Sequence, residues 1–261
     1  MNGLFMPNTA LITGASSGIG RELARYHAKR GGDLIVTARR ADALEALKSE
    51  LEAAHGVNVT VVALDLGASN GAEQLYAATK GHKIDILINN AGFGGQGAFT
   101  DRDLSTALAM IDLNVKALVS LTHMVARDMV VQGSGKILNV SSTAAYMPGP
   151  LQATYFATKA YVSSFSQALD AELRDKGVTV TALEPGYVAT EFAARADLEG
   201  TKMAAQKGST AVAVAKFGYD AMLSGQLRAI NEVQLRFFLN WVMPWMPSRA
   251  TLNMVKKMQM K

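Results

Sequence analysis

Tyr155 and Lys159 stand four residues apart in a stretch with helical composition, so on a helix they share one face. An unperturbed phenol titrates near ~10, too high to exchange protons well at neutral pH. A lysine cation ~4 Å away, at an effective dielectric of ~20, supplies about 4 kcal/mol, roughly three pKa units. The pair is therefore expected to bring the phenol close to neutrality, where general acid–base catalysis is most effective. A second constellation, Gly14-Ala15-Ser16-Ser17-Gly18-Ile19-Gly20, separates a strand-like run from a helix-like one. Its glycines permit a sharp turn and close approach of a ligand, and the helix start offers free N–H groups to a phosphate. Other chemistries have no residues to carry them. The chain has no cysteine, hence no disulfide, thiolate nucleophile or Cys-ligated zinc, and His27, His55, His82 and His123 lie scattered without ligand spacing, so no metal is expected.

The elements that must position these groups alternate along 261 residues. Strand-like runs are read at Thr9–Thr13, Asp33–Ala38, Val57–Leu64, Ile84–Ile88, Lys136–Ser141 and Val178–Leu183, with a short seventh at Leu227–Ile230. Helices are expected at Gly18–Arg30, Arg40–His55, roughly 102–132, 154–176 and Ser209–Ser224. Most strands are near-continuous apolar runs, as in parallel sheets covered on both faces. The repeat predicts one α/β domain over 1–261, a doubly wound, mostly parallel seven-stranded sheet with helices on both faces, Rossmann-like, plus a C-terminal helical extension. Residues 186–208 are read as a loop region over the substrate and 233–261 as a helical tail. With 49% hydrophobic and 18% charged residues, wholesale disorder is excluded. A net charge of +4 without basic blocks leaves no footprint for nucleic acid. The N-terminus lacks the basic-then-apolar pattern of a secretory leader, and the expected location is the cytoplasm.

The glycine spacing, G-x-x-x-G-x-G, resembles that of the short-chain dehydrogenase/reductase family. Further motifs occur in the family's order: Asn89-Asn90-Ala91-Gly92 after the fourth strand, Asn114 in Leu113-Asn114-Val115, Ser141-Ser142 ending the fifth strand, Tyr155 with Lys159, and Pro185-Gly186 with Val188 and Thr190 after the sixth. The resemblance implies a hydride exchange between a nicotinamide and a carbonyl or secondary alcohol. In it Tyr155 is the general acid/base, Lys159 tunes it, Ser142 holds the substrate oxygen, and Asn114 places a water on the proton path. Taken singly, Ser142 also reads as a strand-end cap, Asn114 as a packing amide and Tyr155 as a core aromatic. It also implies a homodimer or homotetramer paired through segments 102–132 and 154–176. A non-catalytic NADP(H)-binding regulator on the same fold is the alternative.

Cofactor contacts are expected from Gly14, Ser16, Ser17, Gly18, Ile19 and Gly20, from Asn90, Ala91 and Gly92, and from Tyr155, Lys159, Pro185, Gly186, Val188 and Thr190. Where a ribose-binding carboxylate would favour NAD, Ala38 is followed by Arg39 and Arg40. A guanidinium suits a 2′-phosphate, so NADP(H) is expected over NAD(H). Asp65 and Leu66 are placed at the adenine, with a helix cap as Asp65's other reading. Phe93, Gly94, Ser142, Tyr146, Met147, Tyr155, Tyr187 and Phe192 are expected to line a mostly apolar substrate pocket without a cation, suited to a ketone, aldehyde or alcohol. The stretch 235–246 is too short to span a bilayer. It reads either as a segment packed on the core or a partner, or as a weak membrane-surface anchor.

Overall fold

The computed structural model describes residues 8–205 and 208–260. Positions 206–207 of the expected loop and 261 of the expected tail lie outside them. Strands β1 (Thr9–Thr13), β2 (Asp33–Ala38), β3 (Val59–Ala63), β4 (Ile86–Asn89), β5 (Gly135–Val140), β6 (Val178–Leu183) and β7 (Arg228–Ala229) form one sheet in the order β3-β2-β1-β4-β5-β6-β7. All six pairings are parallel. The strand order reverses between β1 and β4, and the crevice where such a reversal occurs is where ligands bind in open α/β sheets.

Two cores sandwich the sheet, as alternation within its strands requires. Ala10, Ile12, Leu34, Val36, Ile86 and Ile88 face one side. Leu11, Ile35 and Leu87 face the other. The first side is covered by α1 (Gly18–Lys29) and α2 (Ala41–His55). Leu44, Leu47 and Leu51 of α2 recur at helical spacing and are buried, each contributing about 1.5–3 kcal/mol. The second side is covered by α3 (Gly71–Ala78), which the sequence reading did not foresee.

The stretch expected as a helical segment over roughly 102–132 is one continuous helical run from Leu104 to Gln132 with a π-helical turn inside it. It comprises α4 (Leu104–Ile111), a π-helical turn (Asp112–Ala117) and α5 (Leu118–Gln132). Next come α6 (Ala153–Leu173), α7 (Glu191–Arg195) and α8 (Ala211–Leu223). The tail folds as α9 (Val233–Phe237), a wide turn over Phe238–Val242, a tight turn over Met243–Trp245, and α10 (Ser248–Gln259). A buried polar ladder fixes the sheet against its helices. The Asn89 amide donates to Thr122 Oγ1 and Asn139 Oδ1, both at 2.9 Å, and Asn139 donates to Ser166 Oγ at 2.9 Å.

His27 is fully buried on α1. Its Nε2 faces the carbonyls of Asn8 (3.2 Å) and Asp33 (3.0 Å), which makes it the donor, so Nδ1 accepts from the Tyr219 hydroxyl at 2.6 Å. Burial holds this imidazole below its usual pKa of 6.5. The unfolded chain takes up a proton below about 6.5 that the folded chain refuses, so stability falls as pH drops through that value. His27→Gln is expected to lower stability at pH 7.5 by about 1–3 kcal/mol and to flatten the loss between pH 7.5 and 5.5. Urea unfolding at both pH values checks this.

Candidate active site

Thr13 ends β1 with its hydroxyl turned to the neighbouring strand, where Oγ1 accepts from the backbone N–H groups of Asn90 and Ala91, both at 3.0 Å. In return the Asn90 amide donates to the carbonyls of Thr13 (3.0 Å) and Gly14 (3.2 Å). These bonds fasten the glycine turn to the end of β4. Gly14 has φ +69° and a side chain there would meet Asn90 and Ala91 within 3 Å, so only glycine fits. Gly20 serves packing: a Cβ would lie 2.4 Å from the Asn90 amide, and the residue does not line the cavity. Asn90 accordingly acts on the shape of the turn.

A cavity of about 540 Å³ runs across the carboxyl ends of the strands. At one end it is lined by Gly14, Ser16, Ser17, Gly18 and Ile19 of the turn, by Arg39 and Arg40 after β2, by Asp65 and Leu66 after β3, and by Ala91 and Gly92. This end joins a glycine turn to a helix start, a geometry that suits a phosphate group. Ser17 caps α1 without a side-chain hydrogen bond, and the start of the helix lines the cavity. Arg39 is exposed, with no hydrogen-bond or ion-pair partner among the described residues. Arg40 is engaged: its Nη2 lies 3.0 Å from Glu191 Oε2 and donates to Ser16 O and Oγ at 3.3 Å. Asp65 Oδ1 accepts from Gly67 N at 3.0 Å in a local turn; the helix that follows is capped at Asn70, so the helix-cap reading of Asp65 is not met.

At mid-cavity stand Ser142, Tyr155 and Lys159. Ser142 follows β5, where its hydroxyl accepts from Ala144 N at 3.1 Å and reaches Pro185 O at 3.4 Å. Lys159 is buried and donates to Val140 O at 2.8 Å. Its Nζ lies 5.8 Å from the centroid of the Tyr155 ring. The expectation of a near-neutral phenol is not met, because burial acts on both groups. Burial pushes the Tyr155 hydroxyl up to about 12, with Ser142 acting weakly the other way, and pushes Lys159 down to about 8. In this enclosed site the cost of desolvating each charge outweighs the attraction assumed from spacing alone.

Asn114 sits in the π turn, buried behind the cavity rather than lining it. Its amide donates to Phe93 O (2.9 Å) and Thr158 Oγ1 (3.1 Å), and its Oδ1 accepts from Phe93 N (3.1 Å). Both donors are thus spent on protein, and the side chain clamps the β4 loop to the residue before Lys159. Gly94 also stands behind the wall; its missing side chain leaves room for the Phe192 and Tyr155 rings, which meet at 5.5 Å.

The far end of the cavity is mostly apolar, but Gln152 and Gln259 stand in its lining, and Arg195, paired with Glu191, also lines the cavity, which corrects the expectation of a pocket without a cation. Phe93, Met147, Tyr187 and Phe192 line the cavity. Tyr146 does not: its hydroxyl donates to Glu184 Oε2 at 2.6 Å and its ring lies 4.6 Å under the Arg228 guanidinium. Glu184 is fully buried, takes a second bond from Ser163 at 2.5 Å, and is pushed up to about 7 by burial. The carboxylate draws Tyr146 away from the pocket. The sequence reading missed Glu184, although a charged residue between an apolar strand and Pro185-Gly186 marks it. It also missed the tail's contribution, since Leu235, Phe238, Leu239, Met243, Met254 and Met258 close the apolar end together with Leu198 and Met203. Pro185, Gly186, Val188 and Thr190 form the wall between the two ends. Among the described residues no group of acidic or histidine side chains is arranged to hold a metal ion.

Comparison with known proteins agrees with this geometry. Residues 8–199 match the family described as short chain dehydrogenase. The serine 3-dehydrogenase of Agrobacterium fabrum is 40% identical over 191 residues, which span 72% of this chain and 74% of that protein. The very-long-chain 3-oxoacyl-CoA reductase of Anas platyrhynchos is 30% identical over 253 residues, 95% of this chain and 78% of that protein. A short-chain dehydrogenase from Sphingobium yanoikuyae, solved in complex with NADPH, superimposes with a TM-score of 0.84 at 31% identity, covering 91% of this chain and 92% of that one. The chain belongs to the short-chain dehydrogenase family and is an NAD(P)-dependent oxidoreductase.

Proposed function

We propose that this enzyme interconverts an apolar ketone or aldehyde and its alcohol with NADP(H), and that Tyr155 is the general acid/base. One observation carries the reading: a single cavity joins the glycine cradle and Arg39, past Ser142, Tyr155 and Lys159, to an end walled by Met147, Phe192, Met203 and Met258. The bound nicotinamide supplies or takes up the hydride. Gly14 to Ile19 would hold the pyrophosphate, Arg39 a 2′-phosphate, Leu66 and Asp65 the adenine, and Asn90 to Gly92 with Pro185 to Thr190 the nicotinamide half. The relative matching 95% of the chain is named for a 3-oxoacyl substrate of very long chain, which favours a carbonyl on an apolar tail.

Ser142 presents its hydroxyl to the substrate oxygen, and Tyr155 gives that oxygen its proton during reduction. A phenol near 12 stays protonated at physiological pH, the form reduction needs. The positive charge of Lys159 offsets the phenolate left behind, and that charge is lost as pH rises through about 8. Asn114, through Phe93 and Thr158, holds the two walls in place. We propose that copies pair through α4 to α6, where Leu104, Leu108, Ile111 and Tyr161 are exposed.

NADPH oxidation should be assayed against ketones and aldehydes of increasing chain length. Tyr155→Phe is expected to lower kcat by about 10²–10⁴-fold while NADPH still binds, as followed by its fluorescence. Loss of NADPH binding together with activity would overturn the acid/base role. Reductive kcat/KM is expected to fall as pH rises through about 8, a limb that Lys159→Met removes along with most activity. Arg39→Ala is expected to weaken NADPH by about 1.5–3 kcal/mol and leave NADH unchanged. Equal losses for both nucleotides would sink the NADP(H) preference.

A further inference from the structure

The tail that closes the apolar end of the cavity has a second side. Along the continuous helical path from α9 through the two turns after it, Leu235, Leu239 and Met243 point into the cavity. Val233, Phe237, Trp241 and Trp245 recur at every fourth position between them and point outward, 69%, 62%, 70% and 85% exposed. A run of side chains at that spacing lies along one side of a helix. Aromatic side chains this large are seldom left in water in such number, and two tryptophans one turn apart are the side chains that seat best at a boundary between water and hydrocarbon.

The charge of the same tail says what it faces. From 233 to 261 the sequence carries Arg236, Arg249, Lys256, Lys257 and Lys261 and no aspartate or glutamate. The first four are exposed, those of α10 on the side away from its buried Thr251, Val255 and Gln259. Elsewhere the chain is close to balanced, since five of its 26 basic residues and none of its 22 acidic ones lie here. A second copy of this chain would bring the same five cations against it. An anionic surface is complementary to them, and an apolar row rimmed by cations is the pattern of an interfacial segment.

We propose that the outer side of residues 233–261 docks the enzyme on anionic lipid surfaces, with the Phe237–Trp241–Trp245 row seated at the headgroup boundary. One layer of side chains then separates the lipid from the apolar end of the cavity, and a substrate dissolved in the bilayer meets the segment that walls its own pocket. The docking stands apart from the catalytic reading, because its readout is binding.

The two exposed tryptophans are the chain's full complement, so the native fluorescence reports on this row without a label. The full-length protein should be titrated with phosphatidylcholine vesicles and with vesicles containing about a third phosphatidylglycerol, following emission and co-sedimentation. A blue shift and sedimentation with the anionic vesicles, weakened by salt, are expected. Phe237→Ser, exposed and outside the cavity, is expected to lower the partition coefficient about tenfold with the tryptophan signal intact. Lys256→Glu/Lys257→Glu should do the same for anionic vesicles only. Emission and sedimentation unchanged by either vesicle would overturn the proposal. So would a blue shift that appears on raising protein concentration without lipid, disappears in Phe237→Ser, and accompanies dimers in light scattering; that result assigns the row to a second copy.

Discussion

A positive charge with little water around it organises this molecule. The Lys159 ammonium is buried, donates to the Val140 carbonyl at 2.8 Å, and has no carboxylate paired to it among the described residues. Desolvating such an ion costs several kcal/mol, which the fold must offset with precise placement. The surrounding bonds supply it. Ser141 Oγ donates to the Lys159 carbonyl at 2.8 Å, tying α6 to the end of β5. Asn114 ties Thr158, one residue away, to the loop after β4. The ladder of Asn89, Asn139 and Ser166 sets the spacing of β4, β5 and α6 beneath. The tyrosine, the serine and the cradle inherit their positions from this arrangement.

The same economy governs the two ends of the cavity. At the nucleotide end, backbone groups and small residues do the shaping, because a turn that must approach a ligand closely has no room for side chains. At the substrate end, the wall consists of flexible thioethers and leucines drawn from three separate stretches of chain, which gives an adaptable rather than a fixed outline. Glu184 divides the two regimes. By holding Tyr146, Ser163 and Arg228, it keeps a polar knot directly behind an apolar wall.

Most of the strands and the nucleotide end were legible in the sequence because both depend on local rules. Near-continuous β-branched runs bounded by glycine read directly as buried parallel strands, and glycine spacing after the first of them reads as a cradle. Three features were not legible, each for a physical reason. The π turn at Asp112–Ala117 depends on the Asn114 amide finding Phe93 and Thr158, partners 21 and 44 residues distant. Tyr146 leaves the pocket for a carboxylate 38 residues away. Burial pushes the Tyr155 phenol up, against the direction that its spacing to Lys159 suggests, because spacing specifies separation and says nothing about burial. The tail was recognised as apolar, but which of its side chains face inward depends on where the chain enters after β7, and composition does not encode that.

Arg40 joins two properties that enzymology usually treats as separate. One nitrogen touches Ser16 in the cradle and Glu191 at the head of the loop that carries Phe192, Leu198 and Met203 to the substrate end. An exposed pair of this kind is worth at most about 1 kcal/mol, roughly fivefold in the equilibrium constant between seated and unseated loop. A substitution at position 40 removes the link between Glu191 and Ser16, whereas Arg39 has no partner on that loop among the described residues. The cradle and the loop that walls the substrate end are thus joined through one side chain, and a change of outline at either end reaches the other through position 40.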